Sequence, residues 1–357
     1  MTSLVVQTSF LGDIVLTTPL IAELAKRGPV DVVTSPEGAG VLRNHPAIRN
    51  LIVYDRRDAD KGIAGFARTV GRIRHTGLYG SPDSTRAPSI NEFYKHAYLA
   101  QGSYRSALLV VSAGVKNRIG FNTSEGRKLY TEQVEYRFDR HHAERLWWLS
   151  MSACADSPSR DQVRPRLYPS DDDDRAVDAL LDEKLLNPRR PFVALAPGSV
   201  WGTKRWPFYP ELAVKLVEQF NIVVVGGNAD AEAGDLIVAQ LPEGFAANAA
   251  GRVGILGSAA FIGRAEVLVT NDSAPEHLGS AMDTPTIVIF GPTSPVFGFG
   301  PLANGSQIAG IDGLACRPCD HHGPHVCPLG HWRCMREVSS DHVFGLIMQT
   351  LRERAQA

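Results

Sequence analysis

The chain has 357 residues, of which 44% are hydrophobic and 21% are charged, and its formal net charge is −1. These values are typical of a soluble globular protein and suit two domains of roughly 150–200 residues each. The sequence contains no run of about 18 apolar residues and no secretory signal, which excludes a membrane-spanning segment and predicts a cytoplasmic protein.

Charge is unevenly distributed along the chain. Residues 1–170 contain 23 Lys and Arg against 16 Asp and Glu, whereas the remaining residues contain 14 against 22. A basic half indicates an anionic partner, although chance surface composition explains the asymmetry equally well. Because the basic residues are dispersed, with no Lys/Arg block and no interleaved aromatic stripe, we expect no nucleic-acid partner.

Strands and helices alternate in the first half, which is typical of a parallel sheet with crossover helices. Apolar runs predict strands at residues 4–8, 30–33, 51–54 and 97–99, and helical spacing predicts helices at 14–26, 63–73 and 104–112. Gly12 is expected to make a tight corner after the first strand. Residues 75–91 are rich in Gly, Pro, Ser and Asp and predict a loop or an insertion.

The alternation restarts in the second half, and we place the domain boundary between residues 169 and 190. Four consecutive aspartates at 171–174 predict the start of a helix, because acidic side chains stabilise the positive end of the helix dipole; a metal site is the alternative. Strands are predicted at 192–196, 222–225, 266–270 and 286–290, with helices at 210–220 and 341–354. We expect two α/β halves with a cleft between them.

Polar and small residues follow the predicted strands of the second half. Because ligands of open α/β sheets bind at the carboxyl ends of strands, this set indicates a nucleotide diphosphate site. The set comprises Ser199, Lys204, Gly226, Gly227, Asp272, Ser273, His277, Gly291 and Thr293. The alternative interpretation is that the glycines serve only as turn residues and bind no ligand. Neither a dinucleotide glycine fingerprint nor a P-loop motif is present, which disfavours an NAD-dependent oxidoreductase.

Three motifs carry a family resemblance: GDIVLTTP at residues 12–19, APGSVWGTKRWP at 196–207, and TNDSAPEHL at 270–278, followed by FGPT at 290–293. They resemble those of the ADP-heptose:lipopolysaccharide heptosyltransferases of glycosyltransferase family 9, and the type II branch most closely. The resemblance implies a GT-B fold, an α/β architecture of two Rossmann-like domains facing across a cleft. Residues 1–170 would bind the acceptor and 191–340 the nucleotide sugar, with a linker at 171–190 and a C-terminal helix at 341–357 packing back on the first domain.

The resemblance also implies an activity. An inverting transferase would move heptose from ADP-L-glycero-D-manno-heptose to the lipid-linked inner core of lipopolysaccharide, in peripheral contact with the inner membrane and without a cofactor. Asp13 would be the general base, with a helix N-cap as its alternative role. Two other functions stay open: a family 9 transferase with a different nucleotide sugar or acceptor, and a non-catalytic nucleotide-sugar-binding protein.

The family positions assign a donor site and an acceptor site. Lys204 would contact the phosphates and act in catalysis with Asp13. The full set of donor-binding positions is Gly12, Ser199, Lys204, Gly226, Glu232, Asp272, Ser273, Ala274 and His277. Asp272 would repel diphosphate, so hydroxyl groups of the heptose or neighbouring N–H groups suit it better, and a buried structural role is the alternative for His277. Arg105, Arg118 and Arg127 are candidates for binding acceptor anions, and a solvated face is their alternative.

A cysteine-rich segment, residues 316–334, contains Cys316, Cys319, Cys327 and Cys334 at C-x₂-C-x₇-C-x₆-C spacing with four interspersed histidines. This spacing indicates a structural metal such as zinc, or a redox-sensitive loop. A reduced, partly buried loop is the alternative. Because family members transfer sugar without a metal, no catalytic metal is expected. Cys154 is expected in the core.

Overall fold

Two parallel β-sheets organise the chain in the computed structural model, which describes residues 1–81, 93–151 and 156–356. Each sheet belongs to its own unit, the first formed by Met1–Pro165 and the second by Arg166–Ala357. The predicted loop therefore falls partly, and Cys154 wholly, outside the described residues.

The strands of the first unit are β1 (Ser3–Gln7), β2 (Val30–Thr34), β3 (Asn50–Val53), β4 (His96–Leu99), β5 (Asn117–Phe121) and β6 (Glu132–Val134). They lie in the order β3-β2-β1-β4-β5-β6, and every neighbouring pair is parallel. Because the strand order reverses between β1 and β4, a crevice opens at their carboxyl ends. The central strands β1 and β2 are fully buried, which explains why they appear in the sequence as apolar runs.

The helices of the first unit are α1 (Leu11–Leu16), α2 (Thr18–Ala25), α3 (Pro36–Leu42), α4 (Gly62–Tyr79), α5 (Tyr104–Ala113), α6 (His142–Trp148) and α7 (Arg160–Val163). The predicted helix 14–26 is two helices, because Pro19 has no N–H for the helical hydrogen-bond pattern and lies in the first turn of α2. Apolar side chains of β1, β4, α4 and α5 form one core cluster.

The second unit repeats this arrangement with strands β7 (Phe192–Ala196), β8 (Asn221–Val224), β9 (Ala246–Asn248), β10 (Val267–Asn271), β11 (Thr286–Phe290) and β12 (Gln307–Gly310). Their order is β12-β11-β10-β7-β8-β9, and all neighbours are parallel. The order again reverses at one point, between β7 and β10. The carboxyl ends of these two strands are therefore where a ligand site is expected.

The helices of the second unit are α8 (Asp171–Lys184), α9 (Tyr209–Leu216), α10 (Ala231–Val238), α11 (Ile255–Arg264), α12 (Ala274–Met282), α13 (Arg333–Arg336) and α14 (Ser340–Gln356). The aspartate run forms the first turn of α8, which is closed by a reciprocal cap between Ser170 and Asp173. Most of the expected linker is thus helical and belongs to the second unit. Helix α14 packs on α9, β11 and β12 of this unit, and its packing on the first unit stays a prediction.

Two local predictions were wrong. Gly12 is not a corner: it is buried inside α1, and residues Thr8–Phe10 make the turn before the helix. The predicted loop does not begin at His75, because α4 continues to Tyr79. It ends where Gly80 adopts a left-handed conformation (φ 76°) and its N–H bonds to the Thr76 carbonyl, a glycine C-cap.

Candidate active site

Asp13 lies in the first turn of α1, just beyond the carboxyl end of β1. Its side chain is 22% exposed, so the carboxylate is accessible to a substrate. The Ser9 hydroxyl lies 2.9 Å from Asp13 Oδ2 and 2.7 Å from Gln7 Oε1, and can donate to either. Phe10, not Asp13, is the N-cap residue of α1, so the alternative capping role is not observed.

His142 lies beside the same carboxylate, with Nε2 3.7 Å from Asp13 Oδ1. Burial, together with the smaller effect of the nearby Arg145 guanidinium, lowers the pKa of His142 to about 3. The imidazole is therefore neutral near pH 7 and adds no positive charge beside Asp13. Sequence analysis missed His142; the available signal was a histidine pair, His141 and His142, at the start of a helix.

A cavity of about 160 Å³ opens next to Ser9, at the carboxyl ends of β1, β2 and β3. Its walls carry hydroxyl groups and charges of both signs. They are formed by Thr8, Ser9, Phe10, Leu11, Ser35, Pro36, Glu37, Tyr54, Asp55, Arg56 and Arg57. Such a lining suits a polyhydroxylated, charged ligand better than an apolar one.

The three arginines predicted to bind acceptor anions have different surroundings. Arg105 is exposed in the first turn of α5 and its Nη1 lies 3.3 Å from the hydroxyl of Tyr54, a residue of the cavity wall. Arg127 is exposed in the 3₁₀ turn that follows β5 and donates to the Ser124 carbonyl. Arg118 lies near the amino end of β5, and its guanidinium donates to three backbone carbonyls, those of residues 115, 116 and 129. The structure therefore does not bring Arg118 to the edge where Asp13 lies.

In the second unit, Lys204 and Asp272 form a buried ion pair with 2.7 Å between Nζ and Oδ2. Their side chains are only 9% and 11% exposed. The Thr293 hydroxyl donates to the same carboxylate oxygen. Lys204 ends the 3₁₀ turn after β7, and Asp272 directly follows β10, so the switch point of the sheet assembles the pair.

Asn271, the last residue of β10, fixes the connection between β7 and α9 beside this pair. Its Nδ2 donates to the Pro197 carbonyl at 2.8 Å, and its Oδ1 accepts from the Trp206 N–H at 3.2 Å. Ser199 is 9% exposed, and its Oγ accepts from the Trp201 N–H. The connection between β7 and α9, which carries both Ser199 and Lys204, is thereby held against the end of β10.

Helix α12 begins beside the ion pair, and its amino end is partly exposed. Ser273 is the N-cap residue and Ala274 the first helical residue, so their backbone N–H groups lie at the positive end of the helix. His277 is 6% exposed on the same helix, with its ring 6.2 Å from that of Phe299. Glu276 is fully buried; sequence analysis assigned it no role.

Asp230 is a second residue that sequence analysis missed. Its Oδ2 accepts from the Gly227 N–H at 2.9 Å. A Cβ atom on Gly198 would lie 2.1 Å from Asp230 Oδ1, and one on Gly226 would lie 2.7 Å from Oδ2. These glycines are therefore required because a carboxylate packs on their backbone. Glu232, predicted to bind ribose, is exposed in the first turn of α10.

The cysteine-rich segment packs on the loops that carry Lys204 and Thr293. Pro324 accepts from the Thr203 N–H at 3.3 Å, and the Cys319 N–H donates to the Pro292 carbonyl at 2.7 Å. All four thiols are free. In the part of the chain that the structure describes, no three His, Cys, Asp or Glu side chains are arranged to share a metal ion.

The thiols of the segment differ in acidity. Burial raises the pKa of the Cys327 thiol, but hydrogen bonds from the backbone of residues 329–332 outweigh this effect and lower it overall. Burial raises the pKa of Cys334 to about 11. Cys327 therefore has the greater thiolate character of the two.

No helix within the described ranges is both long enough and apolar enough to cross a membrane.

Comparisons with known proteins agree with this architecture. Residues 74–329 match the family described as glycosyltransferase family 9 (heptosyltransferase). The chain is 27% identical to lipopolysaccharide heptosyltransferase 2 of Salmonella typhimurium over 82% of this chain and 84% of the relative. It is 28% identical to lipopolysaccharide heptosyltransferase 1 of Pseudomonas aeruginosa, over 88% and 85%.

A solved structure, that of Escherichia coli ADP-heptose lipopolysaccharide heptosyltransferase II, superposes with a TM-score of 0.76 at 22% identity. The superposition covers 99% of this chain and 100% of that one. It confirms the predicted GT-B class of α/β fold. The chain belongs to glycosyltransferase family 9 and is a glycosyltransferase.

Proposed function

We propose that the chain is an inverting heptosyltransferase of type II, which moves heptose from ADP-heptose to the inner core of lipopolysaccharide. The observation that carries this proposal is Asp13, a partly exposed carboxylate at the switch point of the first sheet, beside a hydroxyl donor and a neutral imidazole. The relative from Salmonella typhimurium, named as type 2, supports the type, and the relative from Pseudomonas aeruginosa, named as type 1, supports the heptosyl chemistry.

Asp13 is the general base of this mechanism. Its carboxylate accepts the proton of the acceptor hydroxyl while the hydroxyl oxygen attacks the anomeric carbon of the heptose. The bond from that carbon to the β-phosphate oxygen breaks as the new C–O bond forms, and ADP leaves. Because this is a single displacement, the configuration of the anomeric carbon inverts.

Negative charge builds up on the departing ADP, and the second unit has groups suited to stabilise it. The Lys204 ammonium supplies a full positive charge, held by Asp272 at 2.7 Å. The amino end of α12 supplies the backbone N–H groups of Ser273 and Ala274, which are oriented by the helix dipole. Pro275 has no N–H, and the first turn of a helix is where proline is best tolerated.

The cavity beside Ser9 is the proposed binding site for the acceptor. Its hydroxyl groups suit a sugar, and Arg56 and Arg57 suit the carboxylates and phosphates of an inner core. Arg105 and Arg127 are exposed at the same edge of the sheet and remain proposed acceptor contacts. Arg118 is better explained as a structural residue, because backbone carbonyls engage its guanidinium.

Two further proposals concern location and metal. A lipid-linked acceptor would bring a cytoplasmic enzyme into peripheral contact with the inner membrane. The cysteine spacing favours a structural zinc ion in the cysteine-rich segment, although no three of its described side chains are arranged to share one. No catalytic role is assigned to a metal.

The proposal is tested by ADP release from ADP-heptose, with and without a truncated inner-core acceptor, in wild type and Asp13→Asn. Asp58→Asn, which removes an exposed carboxylate on the loop after β3, is the matched control. We expect acceptor-dependent release that falls at least about a hundredfold in Asp13→Asn and persists in Asp58→Asn.

Other outcomes separate the alternatives. Tight binding of ADP-heptose without turnover on any inner-core acceptor would favour a binding protein. Turnover with a different nucleotide sugar would replace the donor assignment. A folded Asp13→Asn variant with near wild-type turnover would show that Asp13 is not the base.

A further inference from the structure

Glu276 is a buried carboxyl group that the mechanism above does not use. It lies in the first turn of α12, has no solvent exposure, and neither carboxyl oxygen has a hydrogen-bond partner among the residues that the structure describes. Burial raises the pKa of Glu276 well above its usual range; the charge of Asp272 raises it further, and Lys204 opposes both. The side chain is therefore a neutral carboxylic acid with an unused O–H donor.

The neighbouring Asp272 carboxylate receives its two hydrogen bonds on one oxygen. Lys204 Nζ and the Thr293 hydroxyl both contact Oδ2. Within the described residues, no donor contacts the other oxygen, Oδ1. Asp272 lies just before the N-cap of α12 and Glu276 lies in the first turn of that helix, where the charge of Asp272 acts on the Glu276 carboxyl group.

Lys204 has two competing anions if the ligand is a nucleotide diphosphate. In the free protein its ammonium pairs with Asp272 at 2.7 Å. When the ammonium turns toward a phosphate, the Asp272 carboxylate loses its cation while it stays buried, which is strongly unfavourable. A neutral acid nearby can compensate, because an O–H···O⁻ hydrogen bond to a buried carboxylate is strong.

We propose that Glu276 is a positioning residue of the donor site, whose carboxylic acid donates a hydrogen bond to Asp272 when Lys204 turns to the diphosphate of the donor. The inference rests on the proposed function, because it requires a nucleotide diphosphate ligand. The proton stays on Glu276 throughout, so no covalent or proton-transfer step is involved. Glu276 thereby frees Lys204 without leaving an unpaired charge in the core.

The test compares Glu276→Gln with Glu276→Leu. Glutamine keeps a neutral N–H donor of similar size, whereas leucine has no donor. We expect Glu276→Gln to bind ADP within about threefold of wild type in calorimetry, and Glu276→Leu to bind at least about tenfold more weakly. In Glu276→Leu the KM for the donor should rise while the KM for the acceptor stays unchanged, and the melting temperature without ADP should not fall. Glu276→Met serves the same comparison if the leucine variant does not fold.

Infrared difference spectroscopy adds a direct signature. The carboxylic-acid band of Glu276 should shift on addition of ADP to wild type and be absent from Glu276→Gln. Equal ADP affinity in wild type and Glu276→Leu, or equal losses in the glutamine and leucine variants, would overturn the inference while the proposed function stands. If wild type binds neither ADP nor ADP-heptose, the proposed function itself fails.

Discussion

The buried Lys204–Asp272 ion pair of the second unit allows a quantitative prediction about the free energy of unfolding. In Lys204→Met, the ammonium is removed and the Asp272 carboxylate stays buried with the Thr293 hydroxyl as its remaining partner. At 2.7 Å and an effective dielectric constant of about 20, the lost attraction is roughly 6 kcal/mol. Desolvation of the two ions offsets much of the attraction in the intact pair, but breaking such a pair typically costs about 3–5 kcal/mol.

That loss should lower the melting temperature of the second unit by roughly 6–20 °C, at about 2–4 °C per kcal/mol for a unit of this size. Calorimetry and urea unfolding of Lys204→Met, Asp272→Asn and the double variant would measure it. The double variant should recover part of the loss, because it leaves neither charge buried alone. Lys215→Met is the matched control: it breaks a surface pair with Asp341, which should matter far less.

Two results would refute this reasoning. If each single variant lost less than about 1 kcal/mol, the pair would not be effectively desolvated. If the losses of the single variants added in the double variant, Lys204 and Asp272 would not be energetically coupled, whatever their distance.

Three further predictions test other parts of the molecule. The pKa of His142 falls from 6.5 in the unfolded chain to about 3 in the folded one, so its contribution to stability is fully present above pH 6.5 and is lost as the pH falls toward 3. His142→Asn should therefore flatten the decline of the free energy of unfolding with falling pH, measured by urea titration. An unchanged decline in that variant would contradict the assignment. Arg118→Lys should lower the melting temperature without changing the KM for the acceptor, because its guanidinium bonds to the backbone. Arg56→Ala should raise that KM severalfold in the same kinetic assay. A raised KM in Arg118→Lys and an unchanged KM in Arg56→Ala would restore Arg118 as an acceptor contact. If the cysteine-rich segment binds zinc, elemental analysis should find about one ion per chain and a chelator should lower the melting temperature. Zinc-free protein whose melting temperature does not respond to a chelator would show that the segment folds without a metal.

Burial of whole strands made much of the fold predictable. A strand covered on both faces appears in the sequence as an uninterrupted apolar run, and the predicted bounds of β7 and β11 match the structure. Short edge strands such as β6 and β9 have no such run, so no prediction was made for them. The end of α4 was misplaced because Gly80 indicates a C-cap only once the helix before it is known.

The proposed donor site was more predictable than the proposed acceptor site for a physical reason. The proposed donor-binding groups lie where strands end, and strand ends can be found from local sequence, which is why Lys204 and Asp272 are both predicted from it. Their pairing could not be found this way, since 68 residues separate them along the chain. The neutral state of Glu276 could not be predicted from local sequence either, because it depends on complete burial and on the charges that the fold brings beside it.

The function of an arginine, by contrast, depends on where its guanidinium points, and sequence alone does not determine that direction. Arg105 and Arg118 are both predicted to bind acceptor anions, yet one is exposed near the wall of the cavity and the other is engaged by three backbone carbonyls. Because a carbonyl and a substrate carboxylate compete for the same donors, a guanidinium already bonded to the backbone contributes little to recognition. Acceptor specificity should therefore reside in the exposed arginines at the carboxyl edge of the first sheet. Replacing Arg56 and Arg57 with other residues should change the acceptor preference and leave the affinity for the donor unchanged.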